Sequence, residues 1–227
     1  MASVLVTGSS RGIGRATALE LAERGAQPLL LTRPSARQTE TERLLNERGA
    51  HYRTFYADLE AHDELLQVIE RIITEAGLPD AVIHNAAVIE RTSVVDTTRG
   101  SFARQLEVNL LAPFAVTRAL LPAMLARGSG RHVYVGSISS TLGTAGSAAY
   151  NASKWALLGF MKSLAEELRD SGVTAVAVLP GSVDTEMLEG SGFEPRMSAH
   201  DVARTLVHYA LDAPPAHNGA AIEMFGV

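Results

Sequence analysis

The sequence contains no cysteine. This absence excludes disulfide bonds, thiolate metal sites and cysteine nucleophiles, and it fits a reducing compartment. Positive charge is also scarce, because 20 Lys and Arg residues stand against 25 Asp and Glu residues, for a net charge of -5. Nonspecific binding of nucleic acids requires a basic surface. We therefore expect no nucleic-acid partner.

Long uncharged apolar segments are missing as well. No run approaches the roughly 18 apolar residues that a membrane span needs, and the N-terminus lacks the basic and then apolar order of a secretion signal. The most apolar stretch, 110–125, carries Arg118 and two prolines, and its length fits a core helix. We expect no membrane partner and a cytoplasmic location.

The pattern that is present is a regular alternation of short apolar runs and segments with helical spacing. Strands are expected at 4–6, 29–31, 52–56, 81–83, 133–135, 173–179 and 220–225. Helices are expected at 11–24, 41–48, 60–75, 101–127, 150–169 and 201–211. Runs that are apolar on both faces and separated by helices indicate an α/β fold, a doubly wound parallel sheet of about seven strands with helices on both faces. The 227 residues contain no repeat and no linker, which predicts a single domain over 1–227.

A glycine-rich turn follows the first predicted strand directly. It reads Thr-Gly-Ser-Ser-Arg-Gly-Ile-Gly over 7–14, and its candidate binding residues are Gly8, Ser10, Arg11, Gly12, Ile13 and Gly14. A glycine turn between the first strand and a helix is where open α/β sheets hold a dinucleotide pyrophosphate. The spacing differs from the usual GxGxxG fingerprint, so the glycines alone are also compatible with a purely structural turn. The other motifs decide between that alternative and cofactor binding.

The end of the second predicted strand indicates which dinucleotide is bound. An NAD-specific site commonly places an acid there for the ribose 2′-hydroxyl, but this chain has Thr32 followed by Arg33. Arg33 and Arg11 could both meet a 2′-phosphate through charge-assisted hydrogen bonds. The pattern therefore favours NADP(H) over NAD(H).

Tyr150 and Lys154 form the candidate proton-transfer pair. A spacing of four places the phenol and the ammonium on one helix face. A nearby cation lowers the pKa of a tyrosine from about 10, and Lys154 is expected to be that cation. Serine hydroxyls at 137, 139 and 140 follow the fifth predicted strand, at the sheet edge where ligands bind.

With these motifs the chain resembles a short-chain dehydrogenase/reductase of the compact, single-domain type over nearly its whole length. The resemblance selects Ser137, thirteen residues before Tyr150, as the catalytic serine, and it matches Asn109 to the family's helix asparagine. The family's Asn-Asn-Ala-Gly motif falls on His84, Asn85, Ala86 and Ala87. Asn85 and Ala86 are then expected at the cofactor.

The resemblance also implies further cofactor contacts and a mechanism. Those contacts would come from Asp58, Leu59, Pro180, Gly181, Val183 and Thr185, together with Tyr150 and Lys154. Ser137 would hydrogen-bond a substrate carbonyl and Tyr150 would donate the proton while the nicotinamide delivers hydride. Lys154 would also hold the nicotinamide ribose, and Asn109 would anchor a water. No metal is implied.

Three features depart from the family or modify the expected site. His84 and Ala87 replace an asparagine and a glycine, and His84 is interpreted as a structural histidine. Pro113 is expected to mark a kink that turns Asn109 toward the site. The segment 186–198 is short for a substrate lid. A short lid favours a bulky carbonyl substrate, or closure of the site by another subunit.

Several functions remain open. The leading hypothesis is an NADP(H)-dependent reductase of small-molecule carbonyls, or the reverse oxidation of an alcohol, with the substrate undetermined. The alternative is a non-catalytic dinucleotide-binding sensor, although such a protein would be expected to lose Ser137 or Tyr150. A sugar-nucleotide epimerase usually needs a larger substrate domain than 227 residues allow. By resemblance, the helices that carry Asn109 and Tyr150 pair in a homodimer or homotetramer, with Trp155, Leu158 and Phe160 as one apolar face.

Overall fold

A seven-stranded parallel sheet runs through the protein. The computed structural model describes residues 1–226. The nine strands in chain order are β1 Ser3–Thr7, β2 Gln27–Thr32, β3 Arg53–Tyr56, β4 Ala81–His84, β5 Gly130–Val135, β6 Val173–Pro180, β7 Val183–Asp184, β8 Met197–Ser198 and β9 Ala221–Met224. The main sheet has the order β3-β2-β1-β4-β5-β6-β9, and β7 pairs separately with β8. Strand order reverses between β1 and β4, which makes that junction the crevice where such sheets bind ligands.

Seven α-helices cover the two faces of the sheet. They are α1 Gly12–Glu23, α2 Ala36–Glu47, α3 His62–Ala76, α4 Arg99–Leu106, α5 Ala112–Arg127, α6 Ala148–Glu167 and α7 Ala199–Leu211. Alternate side chains of each central strand enter opposite faces. Leu5 and Val82 pack with α3, α5 and α6 in one core, whereas Val4 and Ile83 pack with α1 and α7 in another. The doubly wound sheet predicted from the sequence is confirmed.

The predicted helix 101–127 is interrupted at its centre. Residues Glu107–Leu111 form a π-helical segment between α4 and α5, and Asn109 lies in its middle. A π-segment inserts one residue into the helical ladder and reorients the side chains around it. Pro113 comes just after this segment and has no N–H to donate to the carbonyl oxygen of Asn109, so the α-helical ladder is broken at this point. The expected kink at Pro113 is thus replaced by a π-segment before it.

The same stretch, Arg99–Arg127, is long and apolar enough to cross a membrane by length and composition, although no run of this kind was expected. Half of its most apolar window is buried inside the protein. Leu120 and Met124 are fully enclosed by the core beneath the sheet. The apolar character of α5 is therefore explained by packing within the fold.

Two buried histidines lie side by side on β4 and β5. His84 Nε2 is 3.2 Å from His132 Nδ1, and the His84 ring stacks on Tyr134 at 4.4 Å between centroids. Burial and the neighbouring His132 hold the pKa of His84 well below its usual value, and burial lowers the pKa of His132 to about 4. His84 Nδ1 and His132 Nε2 have no hydrogen-bond partner in the part of the chain that is described. Both rings are therefore neutral at physiological pH.

This pair predicts loss of stability in mild acid. Unfolding returns both histidines to a pKa of about 6.5, so the unfolded state binds more protons below that pH. The contribution is complete above pH 6.5 and is lost as the pH falls toward 4, by about 1.4 kcal/mol per pH unit for each histidine. Urea unfolding of His132→Phe between pH 4 and 7 should show a shallower pH dependence than the parent. The exposed His51→Gln is the control, and equal slopes for the parent and His132→Phe would contradict the assignment.

Candidate active site

One large cleft opens at the carboxyl ends of the central strands and has a volume of about 1380 Å³. Its lining includes every cofactor-binding and catalytic residue predicted from the sequence except Asn109. Those lining residues are Gly8, Ser10, Arg11, Gly12, Ile13, Gly14, Arg33, Asp58, Leu59, Asn85, Ala86, Ser137, Tyr150, Lys154, Pro180, Gly181, Val183 and Thr185. Residues that are distant in sequence therefore share one wall because parallel strands end at the same edge.

The glycine-rich turn packs too closely for side chains. A Cβ on Gly14 would lie 2.1 Å from the Gly8 carbonyl oxygen and 2.5 Å from Asn85 Nδ2. Asn85 Nδ2 donates to the carbonyl oxygens of Thr7 and Gly8, at 2.9 and 3.0 Å, and so ties the end of β4 to the turn. Helix α1 begins at Gly12, at the edge of the cleft. The backbone N–H groups of its first turn have no partner within the helix and are available to a ligand. This cradle fits a pyrophosphate.

Helix α2 holds the same turn from behind. Thr41 Oγ1 donates to the Ser9 carbonyl oxygen at 3.1 Å, and buried Gln38 accepts from Ser9 Oγ at 3.0 Å. The Arg15 guanidinium also binds the turn, since it donates a hydrogen bond to the Ser10 carbonyl oxygen at 2.7 Å. These hydrogen bonds fix the conformation of the turn without a ligand. The role of Arg15 is therefore to stabilise the turn.

Three arginines gather at the cofactor end of the cleft. Arg33 faces Asp58 at 3.8 Å, and both side chains are exposed. Arg11 and Arg37 converge on the carboxylate of Glu186, with the Arg37 contact at 2.8 Å. Arg37 was not singled out from the sequence because it follows the strand end by several residues. Two guanidinium groups thus surround one carboxylate at this corner of the cleft.

Tyr150 and Ser137 lie together at the other end of the cleft. Ser137 follows β5 and caps the 3-10 turn Ile138–Ser140, and its Oγ accepts from Ser139 N at 3.1 Å. Tyr150 stands in the first turn of α6 and is 8% exposed. Burial raises the pKa of the Tyr150 phenol, while its hydrogen bond with Ser137 and the charge of Arg91 act to lower the pKa. The phenol therefore stays protonated at neutral pH.

Lys154 is fully enclosed beneath Tyr150. Its Nζ lies 5.7 Å from the Tyr150 ring centroid and donates to the Val135 carbonyl oxygen at 2.7 Å. Burial lowers the pKa of Lys154 to about 8. The Lys154 ammonium faces the end of β5, and the cation whose charge lowers the pKa of the Tyr150 phenol in this structure is Arg91. The role of Lys154 in lowering that pKa stays a prediction.

Asn109 lies behind the cleft wall and is 1% exposed. Its Oδ1 accepts from Val88 N at 2.8 Å, and its Nδ2 donates to the Val88 carbonyl oxygen and to Ser153 Oγ. Both amide protons are thus used within the protein. The side chain fastens the segment after β4 to α6, next to Lys154.

Arg91 is the residue of the site that the motifs did not reveal. It lines the cleft beside a backbone bridge between Thr92 and Ser147, three residues before Tyr150. Its guanidinium donates to the carbonyl oxygens of Met187 at 2.8 Å and Glu189 at 3.2 Å. In the sequence, an arginine in a polar loop is indistinguishable from an ordinary surface charge. Only the tertiary structure could therefore identify Arg91 as a residue of the site.

Residues 180–198 close the cleft from the side. The 3-10 turn Glu186–Leu188 and the short β7-β8 pair shape this segment, and neither was predicted. Gly12 approaches it so closely that a Cβ there would lie 3.1 Å from Thr185 Cγ2. Arg11, Arg37 and Arg91 all bind the segment, which ties it to both ends of the cleft.

A possible metal-ligand cluster lies elsewhere, although the histidine spacing in the sequence gave no sign of one. Glu20, Glu23 and His200 place one ligand atom each within 4.8 Å of the others. Glu23 and His200 are exposed, and His200 contacts Glu20 at 3.4 Å. Exposed acids cluster commonly through such ion pairs, and this group does not line the cleft.

Comparison with known proteins places the chain in one family. The family model described as short chain dehydrogenase matches residues 2–194. A 3-oxoacyl-[acyl-carrier-protein] reductase of Synechocystis is 32% identical over 203 residues, covering 88% of this chain and 81% of the relative. The enzyme FabG of Escherichia coli, described by the same reaction, is 34% identical over 184 residues, covering 81% and 74%.

Solved structures agree in fold. Levodione reductase superposes with a TM-score of 0.92 at 24% identity, covering 99% of this chain and 96% of that chain, which shows the fold alone. A proposed NAD(P)-dependent gluconate 5-dehydrogenase of Beutenbergia cavernae, with NADP at low occupancy, also superposes with a TM-score of 0.92, at 29% identity. It covers 99% of this chain and 95% of that chain.

The class defined by this fold and cleft is a dinucleotide-binding oxidoreductase. The chain belongs to the short-chain dehydrogenase/reductase family. The resemblance recognised in the sequence is therefore confirmed.

Proposed function

We propose that this protein is an NADP(H)-dependent reductase of small-molecule carbonyl compounds. The observation that carries the proposal is the pairing of Ser137 with the Tyr150 phenol on the wall of a cleft whose other end is a glycine cradle lined by arginines. A hydroxyl pair at one end and an anion site at the other fit a carbonyl held against a dinucleotide.

The residues present fit the cofactor at both halves. The cradle of Gly8, Gly12 and Gly14 would hold the pyrophosphate, and Arg33 with Arg11 would meet a 2′-phosphate, with Arg37 next to Arg11 at Glu186. Asp58 and Leu59 would contact the adenine, and Lys154 with Val183 would hold the nicotinamide half. When bound, the reduced nicotinamide supplies a hydride to the carbonyl carbon.

The protein's own groups orient the carbonyl and move one proton. Ser137 Oγ would donate to the carbonyl oxygen and polarise it, and the Tyr150 hydroxyl would transfer its proton to that oxygen as the alcohol forms. The raised pKa of Tyr150 keeps the phenol protonated at neutral pH, the state in which it can donate a proton to a carbonyl oxygen. Asn109 and Ser153 would act as positioning residues that fix α6.

A panel of ketones and aldehydes mixed with NADPH or NADH tests this function through loss of absorbance at the nicotinamide band. We expect turnover of at least one carbonyl compound and faster turnover with NADPH. A protein that binds NADPH but reduces no member of a broad panel would instead support the non-catalytic sensor.

Replacing Arg33 by alanine should weaken NADPH far more than NADH. A charge-assisted contact to the 2′-phosphate accounts for about 10- to 100-fold in affinity, and NADH lacks that phosphate. Titration of both cofactors against intrinsic fluorescence measures the effect. Arg43→Ala is the matched control, because Arg43 lies on α2 but binds Glu40 and Glu47 away from the cleft. Equal losses for both cofactors would contradict the 2′-phosphate assignment.

The same proposal includes a homodimer or homotetramer formed through α5 and α6. Phe114 and Trp155 are exposed on these helices, and Phe114 meets Phe160 edge-on at 5.8 Å. Leu158 and Phe160 are partly buried against the core, so less of this face is free than the sequence indicated. Light scattering of the parent and Trp155→Glu should show an oligomer that dissociates in the variant. A monomeric parent would refute the assembly.

We further propose that residues 1–227 act as one cytoplasmic domain with 186–198 as its substrate lid. The single cleft combines glycine turn, catalytic groups and lid within one sheet. Because one chain already leaves Tyr150 only 8% exposed, closure by a second subunit is not needed to shield the phenol.

A further inference from the structure

Arg91 combines three properties that its neighbours in the cleft do not share. It stands at the catalytic end, it reaches across to the lid, and its charge acts on Tyr150. We propose, on the basis of the carbonyl reductase function above, that Arg91 binds a carboxylate on the substrate, so that the enzyme acts on oxo acids in preference to neutral ketones.

The first step of the argument is charge pairing. The cleft arginines at the cofactor end each meet an acid: Arg33 meets Asp58, and Arg11 and Arg37 meet Glu186. Within residues 1–226, no carboxylate comes within 4.0 Å of the Arg91 guanidinium. A partly buried cation without a counter-ion is electrostatically prepared to receive an anion.

The second step is the set of hydrogen-bond donors. A guanidinium carries five N–H donors, and Arg91 uses two of them on the carbonyl oxygens of Met187 and Glu189. Those two acceptors hold the side chain in place without neutralising its charge. The remaining donors suit a carboxylate, which accepts two parallel hydrogen bonds from arginine. One guanidinium matches the single charge of a carboxylate better than the double charge of a phosphate.

The third step is position. Thr92 N donates to the Gly146 carbonyl oxygen at 2.9 Å, which fixes the backbone next to Arg91 against the start of α6. Tyr150 stands in the first turn of that helix. Arg91, Tyr150 and the lid residue Met187 all line the cleft, and the charge of Arg91 acts on the Tyr150 phenol. A substrate whose carbonyl meets Tyr150 can therefore place a carboxylate at Arg91.

Apolar side chains form part of the wall at this end. Ile138, Leu142, Met187, Leu188 and Phe193 line it, and Leu142 and Phe193 are exposed at its rim. Serine and threonine side chains such as Ser139 and Thr144 line it as well. The apolar part of this wall fits the hydrocarbon body of an oxo acid whose carboxylate meets Arg91.

Matched pairs of substrates test the inference. The probes are 4-oxopentanoate and phenylpyruvate, each compared with its methyl ester, at saturating NADPH. We expect a higher kcat/KM for the acids in the parent enzyme. Arg91→Gln keeps donors for the lid but removes the charge, so it should lower kcat/KM for the acids by about 10- to 100-fold, mainly through KM. The kcat/KM of the esters should fall by a clearly smaller factor, because the esters lack the charge that Arg91 contacts and report only the effects of Arg91 on the lid and on Tyr150.

Two further variants separate this role from others. Arg91→Lys should restore part of the preference for acids, since it returns the charge without the fork geometry. Arg99→Gln removes the same charge from exposed α4, outside the cleft, and should behave as the parent. Equal losses for acids and esters in Arg91→Gln would overturn the inference, because Arg91 would then act through the lid or the Tyr150 pKa. A parent enzyme that prefers the esters would overturn it as well.

A binding experiment keeps the inference testable without turnover. The NADPH-loaded protein is titrated by calorimetry with pentanoate and with methyl pentanoate, neither of which has a ketone. Pentanoate should bind the parent protein more tightly than the ester and should lose this advantage in Arg91→Gln. Equal binding of the two probes to the parent would overturn the carboxylate site even if ketones are reduced. Failure to reduce any carbonyl compound, with pentanoate still bound, would refute only the proposed reaction.

Discussion

Tyr150→Phe should reduce kcat by about 1000-fold with any carbonyl substrate, within the range that removal of a general acid produces. The phenol is buried beside Ser137 on the wall of the cleft, and phenylalanine keeps the ring but has no proton to donate. Steady-state NADPH oxidation measures the loss. NADPH affinity should remain within about 3-fold, because the change removes a group acting in the reaction more than in binding.

The matched control for this change is Tyr134→Phe. Tyr134 is also fully buried, and its hydroxyl lies 2.8 Å from Thr117 Oγ1, outside the cleft. Its removal should cost about 1 kcal/mol of stability, as loss of a buried hydrogen bond does, with kcat unchanged. Retained activity in Tyr150→Phe would show that the proton comes from another group and that the proposed mechanism is wrong.

Gly14→Ala should abolish measurable NADPH binding. The new methyl group would lie 2.1 Å from the Gly8 carbonyl oxygen and 2.5 Å from Asn85 Nδ2, so the turn and the end of β4 must move apart. Overpacking of this kind costs about 1–3 kcal/mol of stability. The displaced backbone is the same one that would receive the pyrophosphate. Fluorescence titration with NADPH and a thermal melt measure the two effects.

Gly100→Ala provides the control for this substitution. A Cβ at Gly100 would have only Thr98 Oγ1 nearby, at 3.9 Å, and the residue is exposed on α4. Alanine favours a helix over glycine by about 1 kcal/mol, so this variant should bind NADPH normally and melt no lower than the parent. Normal NADPH binding by Gly14→Ala would show that the turn does not hold the cofactor as proposed.

The elements of the sheet were predictable because each central strand is buried on both faces and reads as an apolar run. β1, β4 and β6 were placed within one or two residues of their observed ends. The π-segment Glu107–Leu111 was not predictable, since its sequence keeps an ordinary helical spacing and the proline after it predicts a simple kink equally well. The strands β7 and β8 were not predictable either, because two residues are too few to show an alternation of apolar and polar side chains in the sequence.

The candidate site was predictable wherever backbone geometry sets the residue type. Gly14 must be glycine because of contacts within its own turn and β4, and Tyr150 and Lys154 are related by one helical turn. Arg33 was recognised from its place after a strand. The roles of these residues remain predictions, and the structure adds that Asn109 lies behind the wall of the cleft.

What the sequence determined by itself is the family, the parallel sheet and the list of groups that face the cleft, because periodicity and short motifs encode local geometry. Tertiary structure alone decided which charges meet. Glu186 lies between Arg11 and Arg37, and Arg91 reaches the lid instead of an acid. Long flexible side chains on loops find partners through space, at distances that sequence separation does not encode. Among residues 1–226 the Arg91 guanidinium therefore has no carboxylate partner, and it lies at the end of the cleft that holds Tyr150, where we propose that the substrate supplies the counter-ion.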